Sequence, residues 1–301
     1  MAKRRRKKSK KRVLKTFIWT TILCIITLIG YLYGPTLLGK DTPAPVSGDE
    51  VQFHFIDVGQ GDATLIRTAA GDILIDAGTN DSEEALKAYL DKVGVDDIEY
   101  AIFTHPHEDH IGGADMVVKS YNVKNVILPG KVHTSKTYEY MMDAIENRGC
   151  KVTLATPDVS FTVGELKCSV LAPISKSYSE LNDYSVVLRA EYGETVAIFT
   201  GDAEVHVEEE MLDRYRLSGK LDCDLLKVGH HGSDTSSSEA FISAASPAHA
   251  VISVGKGNTY GHPVQAILKR YENANAAIYR TDLEGSIVFK STGGEPERVT
   301  Q

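Results

Sequence analysis

The sequence is short of the residues that fasten small extracellular folds. Its 301 residues hold four cysteines, Cys24, Cys150, Cys168 and Cys223, and none is spaced as Cys-x-x-Cys. Three of them lie beyond residue 50, so a fully paired disulfide framework is excluded there, and they read as small buried apolar residues. Tryptophan occurs once, at Trp19. Acid is missing from residues 1–39, and residues 16–39 carry no charge of either sign. No second apolar run of that length follows, which excludes a multi-span channel formed by this chain alone.

The basic residues are unevenly placed. Lys3, Arg4, Arg5, Arg6, Lys7, Lys8, Lys10, Lys11, Arg12 and Lys15 account for ten of the 33. The rest of the chain keeps 23 against 41 acids, a formal net charge of −18. A body this acidic opposes polyanion binding through its overall field. It leaves room for a phosphodiester where metal ions supply local positive charge. Hydrophobic content of 42% is that of an ordinary globular chain, enough to bury a core.

The charge-free stretch, centred on residues 17–33, is long enough to cross a bilayer, which takes about 20 apolar residues. Trp19 near one end and Tyr31 and Tyr33 near the other suit the two interfaces, and the basic cluster ahead predicts a cytoplasmic N-terminus. The expected organisation is a basic cytoplasmic tail at 1–15, one transmembrane anchor at 16–34, a linker at 35–50 containing Pro35, Pro43 and Pro45, and a domain at 51–301 outside the cytoplasm. Membrane lipid is then a partner through the anchor, with anionic lipid contacting the tail. A cleaved signal peptide is the alternative, but no clear small-x-small cleavage site follows the run.

Periodicity in the body predicts strands at 51–58, 63–68 and 73–75, opening antiparallel, and a helix at 82–93 capped by Asp81 or Ser82. Strands at 98–103 and 123–128 flank a helix at 113–120, and a helix at 135–148 stops at Gly149. Strands follow at 151–154, 160–163, 166–172, 185–191, 195–200, 225–228 and 250–254. Helices at 205–217, 238–244 and 264–271 lie among them, and two short strands end the chain. Nothing repeats at a solenoid period.

The densest chemistry is His105-Pro106-His107-Glu108-Asp109-His110, directly after the apolar strand 98–103. Imidazoles and carboxylates at the C-terminal end of a strand suit zinc, manganese or iron. His105 and His107 pointing one way, and Asp109 and His110 the other, would serve two adjacent ions.

This run resembles the His-x-His-x-Asp-His signature of the metallo-β-lactamase superfamily. Asp72 to Gly78, with Asp76 at the strand end, is similar to a second motif, and Val196 to Glu204, with Asp202, to the strand that delivers a metal-bridging aspartate. Leu225 to Ser233, with His230 and His231, resembles the element carrying the last histidine. His54-Phe55-Ile56-Asp57-Val58-Gly59-Gln60-Gly61-Asp62-Ala63, His230-His231-Gly232-Ser233 and Asn258-Thr259-Tyr260-Gly261-His262-Pro263 resemble the ComEC-type branch. Many members carry a histidine where Asn182-Asp183-Tyr184-Ser185 stands here, with Asp183 at its place; ComEC-type sequences also lack it.

The resemblance implies an α/β fold, the αββα four-layer sandwich, and two divalent ions, zinc or manganese. One ion would take His105, His107 and Asp202, with Asp183 or a water completing it. The other would take Asp109, His110, Asp202 and one of His230 and His231, His230 being favoured because it follows the strand-ending Gly229. Asp109 would orient a metal-bridging hydroxide, and Asp76 would hydrogen-bond a ligating histidine. His262 is a candidate catalytic residue, donating to a substrate phosphate or protonating a leaving group. The turn at Asp57 and Asp62 is expected to shape the rim. The implied function is a membrane-anchored, extracytoplasmic hydrolase of phosphodiesters, nucleic acid among them. The alternatives are another substrate, such as a phosphorylcholine ester, a lactone or a β-lactam, and a metal-stabilised binding module.

Overall fold

The computed structural model describes residues 46–300, so the expected tail, membrane anchor and most of the linker lie outside the described residues. Among the described residues no helix is long and apolar enough to cross a membrane. The elements run β1 (Val51–Phe55), β2 (Thr64–Thr68), β3 (Gly71–Ile75), α1 (Glu83–Val93), β4 (Asp97–Ile102), α2 (Glu108–Ile111), α3 (Ala114–Ser120), β5 (Asn122–Leu128), α4 (Lys136–Arg148) and β6 (Lys151–Leu154). They continue through β7 (Ser160–Val163), β8 (Leu166–Ala172), β9 (Val187–Tyr192), β10 (Thr195–Phe199), α5 (Val205–Tyr215), β11 (Leu225–Lys227), α6 (Glu239–Ala245) and β12 (His249–Ile252). The chain closes with α7 (Gln265–Asn273), β13 (Ala277–Arg280), α8 (Thr281–Glu284), β14 (Ile287–Ser291) and β15 (Glu297–Val299).

Two mixed sheets result, ordered β15-β14-β1-β2-β3-β4-β5-β6 and β13-β12-β11-β10-β9-β8-β7. Strand alternation explains how they face each other. In β1, Val51, Phe53 and Phe55 enter the core between the sheets, where they meet Phe199 of β10 and Phe289 of β14. Ile198, one residue earlier in β10, turns to the opposite face and packs with Val207 and Met211 of α5. On the far side of the first sheet, Leu65, Leu74 and Ala101 pack against Leu86 and Leu90 of α1 and Met141 and Ile145 of α4. Each such large apolar side chain contributes about 1.5–3 kcal/mol when fully buried. The layers are therefore helices, sheet, sheet, helices, as expected.

Local signals place most boundaries. Ser135 accepts a hydrogen bond from the Tyr138 amide at the start of α4, and Gly149 ends it in the left-handed region. The start of α1 differs from expectation: the side chain of Thr79 accepts from the Ser82 amide and caps a 3₁₀ turn, Asn80–Ser82, that feeds the helix. The chain also ends on three strands rather than two. β13 extends the second sheet beside β12, whereas β14 inserts beside β1 in the first, because Ile287 and Phe289 complete the inter-sheet core.

Parallel pairing sets the location of the chemistry. β3, β4 and β5 run parallel, as do β10, β11 and β12. Their C-terminal ends therefore gather at one edge of each sheet, and the loops beyond them carry every predicted site residue except Asp183.

Candidate metal centre

Asp76, just past β3, is the first fixed point. Its backbone is left-handed (φ 59°), a conformation rare outside glycine, asparagine and aspartate. Its carboxylate accepts the Thr104 amide and the Thr104 hydroxyl, each at 2.7 Å, and His110 Nδ1–H, also at 2.7 Å. Thr104 precedes His105, so this one carboxylate ties the strand end to the turn α2 that carries Asp109 and His110. It also fixes the tautomer of His110, leaving the Nε2 lone pair to face inward.

Asp202 follows β10 and is held by its own amide, which donates to Ser185 Oγ at 3.1 Å. His231, after β11, donates Nδ1–H to the Ser253 carbonyl at 2.9 Å, so its Nε2 also presents a lone pair. That atom lies 3.2 Å from Asp109 Oδ2 and 3.7 Å from Asp202 Oδ2. His110 Nε2 lies 3.3 Å from Asp202 Oδ2 and 3.9 Å from Asp109 Oδ2. The ligand atoms of Asp109, His110, Asp202 and His231 all fall within 4.8 Å of one another. Among the described residues, buried His110 Nε2 and Asp202 Oδ1 have no hydrogen-bond partner. Imidazole lone pairs aimed at carboxylate oxygens repel unless a proton on the ring or a metal ion sits between them. The titration directions agree. Burial opposes charge on both rings, yet Asp202 and the carboxylates around it hold His110 well above its ordinary range and push His231 up to about 10. Burial likewise opposes ionisation of Asp202, yet His110 and His231 hold it well below the usual carboxylate range.

Asp202 Oδ2, the oxygen that faces His110 and His231, also faces His105, beside which His107 lies. His105 Nε2 and His107 Nδ1 approach to 3.0 Å, and His105 Nε2 lies 3.9 Å from Asp202 Oδ2. Burial, reinforced by the charge of His110, holds His105 well below its ordinary range, and burial lowers His107 as well. Neutral rings with converging lone pairs are the form that binds metal. Nitrogen and carboxylate donors without a thiolate fit zinc, manganese or iron.

Three of the expected residues sit elsewhere. Asp183 is not brought into the cluster. It is buried in a 3₁₀ turn, Asn182–Tyr184, and its charged neighbours are Glu204, His206 and Glu180. His230 stands at the rim, 23% exposed in its side chain, with Nε2 3.7 Å from Asp202 Oδ2 and Nδ1 3.3 Å from Glu204 Oε1. The expectation favoured His230 within the cluster; the left-handed turn at both histidines sends His231 inward and His230 outward. His262 is also at the rim, its ring 5.6 Å from that of His230 and 5.8 Å from Tyr260. Its loop is braced by Asn258, whose Oδ1 accepts the amides of Tyr260 and His262.

Asp62 and Lys227 are more deeply placed than their motifs suggested. Lys227, 2% exposed, donates Nζ–H to Asp62 Oδ2 at 2.6 Å and to the Val228 carbonyl at 2.7 Å. Asp62 Oδ1 lies 3.5 Å from His231 Nδ1, and Oδ2 lies 3.9 Å from His110 Nδ1. Asp62 is therefore a buried support behind two histidines and not a rim residue. Gly61 allows this: a Cβ there would lie 2.5 Å from the Asp109 carbonyl, which accepts the Asp62 amide at 3.0 Å. A lysine inside the apolar run before His230 was the available sequence signal, since burying its charge is costly without a partner.

The cluster borders a cavity of about 490 Å³, lined by His107, Asp109, Asp202, His230, His231 and His262 together with Gln60, Thr79, Glu108 and Tyr260. Residues 56–256 match the family model described as Metallo-beta-lactamase superfamily. The chain is 29% identical over 287 residues to ComE operon protein 3 of Bacillus subtilis (strain 168), covering 89% of this chain and 35% of that protein. It is 32% identical over 250 residues to Competence protein ComA of Neisseria gonorrhoeae, covering 82% of this chain and 33% of that one. The chain thus spans about a third of the length of the curated relatives it matches. Among solved structures, the metallo-beta-lactamase fold protein YhfI from Bacillus subtilis superposes with a TM-score of 0.53 at 13% identity, over 80% of this chain and 100% of that one.

Proposed function

We infer the activity from one premise: this chain belongs to the metallo-beta-lactamase superfamily. It is a metal-dependent hydrolase fold, and its reading here is a phosphodiesterase, nucleic acid included among substrates, held at the outer face of a membrane by residues 16–34. The observation that carries the hydrolase reading is the pair of imidazole lone pairs, on His110 and His231, turned onto Asp109 and Asp202 by hydrogen bonds behind them. His105 and His107 would hold one divalent ion with Asp202, and Asp109, His110 and His231 another with the same aspartate. Bound there, such ions supply a water of lowered pKa and positive charge for the developing transition state.

The chain's own groups do the rest. Asp109, only partly buried and with Oδ2 3.2 Å from His231 Nε2, would orient the attacking water and take its proton. His230 and His262 stand at the mouth, where they suit the non-bridging oxygens or the leaving group of a phosphodiester. The cavity wall carries no lysine or arginine among the described residues, so affinity for phosphate would rest on those two rings and the ions. That favours a short or terminal phosphodiester over a long duplex tracked along its backbone. The relatives' competence names support nucleic acid as a substrate class, and the basic, acid-free start of the chain supports the membrane placement.

The test uses the full chain in detergent, loaded with zinc or manganese, against bis-p-nitrophenyl phosphate, single-stranded DNA, a lactone and a β-lactam. Metal-dependent diester or DNA cleavage, lost in both Asp109→Ala and His107→Ala, is expected. Turnover of the lactone or β-lactam alone would overturn the phosphodiester reading and keep the hydrolase.

A further inference from the structure

One wall of the cavity is a row of rings. His230 comes first, with Nε2 3.7 Å from Asp202 Oδ2. The His262 ring meets it edge-on, with centroids 5.6 Å apart. Tyr260 then lies nearly parallel to His262, at 25° and 5.8 Å between centroids, within the range of an offset stack. The row thus leads from the ligand cluster to the mouth, and it ends in solvent. Tyr260 is 71% exposed, and among the exposed large hydrophobic side chains of the described residues it alone lines this cavity.

The last ring is held in place through its backbone. Asn258 spends both ends of its amide on the loop: Oδ1 accepts the Tyr260 and His262 amides, and Nδ2 donates to the Gly255 and His262 carbonyls. Gly255 is in turn tied to the turn across the cavity, its amide donating to Gln60 Oε1 at 3.0 Å. Core packing accounts for none of this bracing, because the side chain it presents stays in water. The surrounding wall limits what such a ring can meet. It carries no lysine or arginine among the described residues, and the chain beyond residue 15 has 23 basic residues against 41 acids. An oligonucleotide is therefore not gripped there along its phosphates. The faces of its bases remain, and an aromatic side chain can stack on any of them.

We propose that Tyr260 is a stacking platform for a nucleobase adjoining the phosphodiester at the ligand cluster, so that the site selects nucleotidyl esters over alkyl phosphodiesters. The proposal rests on the phosphodiesterase reading above and names the substrate class within it. One face of the Tyr260 ring is turned to His262, and its exposure leaves the other to the substrate. The base would extend the row of rings by one member, with Asn258 as the residue that positions the platform.

The full chain in detergent, loaded with manganese or zinc, is given a short thymidine oligomer and an abasic tetrahydrofuran oligomer of equal length and charge, with bis-p-nitrophenyl phosphate as the diester control. The wild type should prefer the base-bearing oligomer in kcat/KM. Tyr260→Ala should reduce that preference about 5- to 150-fold, the range of one lost base stack, and mainly through KM. Tyr260→Leu, apolar but without a π-face, should match the alanine variant, and serves if that variant fails to fold by circular dichroism. Tyr260→Phe should keep the wild-type preference. The same order should appear in Kd for a fluorescein-labelled phosphorothioate thymidine oligomer, read by anisotropy. A preference unchanged in Tyr260→Ala, or lost equally in Tyr260→Phe, would overturn the platform. So would a wild type that cleaves bis-p-nitrophenyl phosphate and does not distinguish the two oligomers. Each of these leaves the phosphodiesterase reading intact, whereas a wild type that cleaves no diester would overturn both.

Discussion

Replacing Lys227 by methionine tests how the buried polar layer behind the histidines is held together. Methionine keeps most of the volume and removes the charge, so the change isolates the ion pair with Asp62 at 2.6 Å. Both partners are almost fully buried. Burial alone would push the Asp62 carboxyl up, but Lys227, then His231 and His110, hold it down to about 2 from an ordinary 3.8. That difference is worth about 2.5 kcal/mol to the folded state at neutral pH. Because the folded value is the lower one, this contribution is present above about pH 4 and is lost as the pH falls through about 2. Removing one partner of a buried pair costs about 3–5 kcal/mol, since the surviving charge is left in a poor solvent. Urea unfolding of the chelator-treated full chain at pH 7 should therefore show Lys227→Met destabilised by about that amount. Protonating Asp62 removes the penalty, so the gap from wild type should narrow between pH 5 and pH 2. Lys227→Met combined with Asp62→Leu should recover most of the loss, because neither charge remains. A single variant within about 1 kcal/mol of wild type, or a double variant no more stable than the single, would refute the account.

Two further outcomes follow from the same geometry. Asp76→Ala removes the acceptor that sets His110, and should weaken divalent metal binding about 10–100-fold in calorimetry, with the far-ultraviolet dichroism of the fold retained. His231→Ala should lose one of the two dialysed ions, whereas His230→Ala should keep both and instead raise KM for a diester substrate; the reverse pattern would return His230 to the cluster.

Much of the fold was legible because periodicity reports burial directly. Val51, Phe53 and Phe55 alternate as an inner strand must, and Leu86, Leu90 and Val93 recur as a helix face must. The return of β14 to the first sheet was not legible, since pairing between Phe53 and Phe289 is a contact across most of the chain that no local pattern encodes. In the site, residue types and spacing pointed to the run from His105 to His110, and the family resemblance to Asp202 and to the histidine pair. Direction was the missing information. His230 and His231 are identical in kind, and only their left-handed backbone decides which is buried. Asp62 looked like a turn residue because its glycine-rich surroundings describe a turn equally well whether its side chain points outward or inward.

The charges around the centre bear on what it binds. Asp62, Asp76, Asp109 and Asp202 place four carboxylates around His110 and His231, and Lys227 cancels one of them. The remaining three negative charges cannot stay unbalanced in so buried a place, where each would cost several kcal/mol. The same carboxylates hold His110 and His231 above their ordinary range. One divalent ion would leave a single negative charge and repel an anionic substrate. Two would leave a single positive charge, which the attacking hydroxide brings to neutrality. The count of carboxylates thus favours two ions over one, and it depends on Lys227 remaining paired with Asp62.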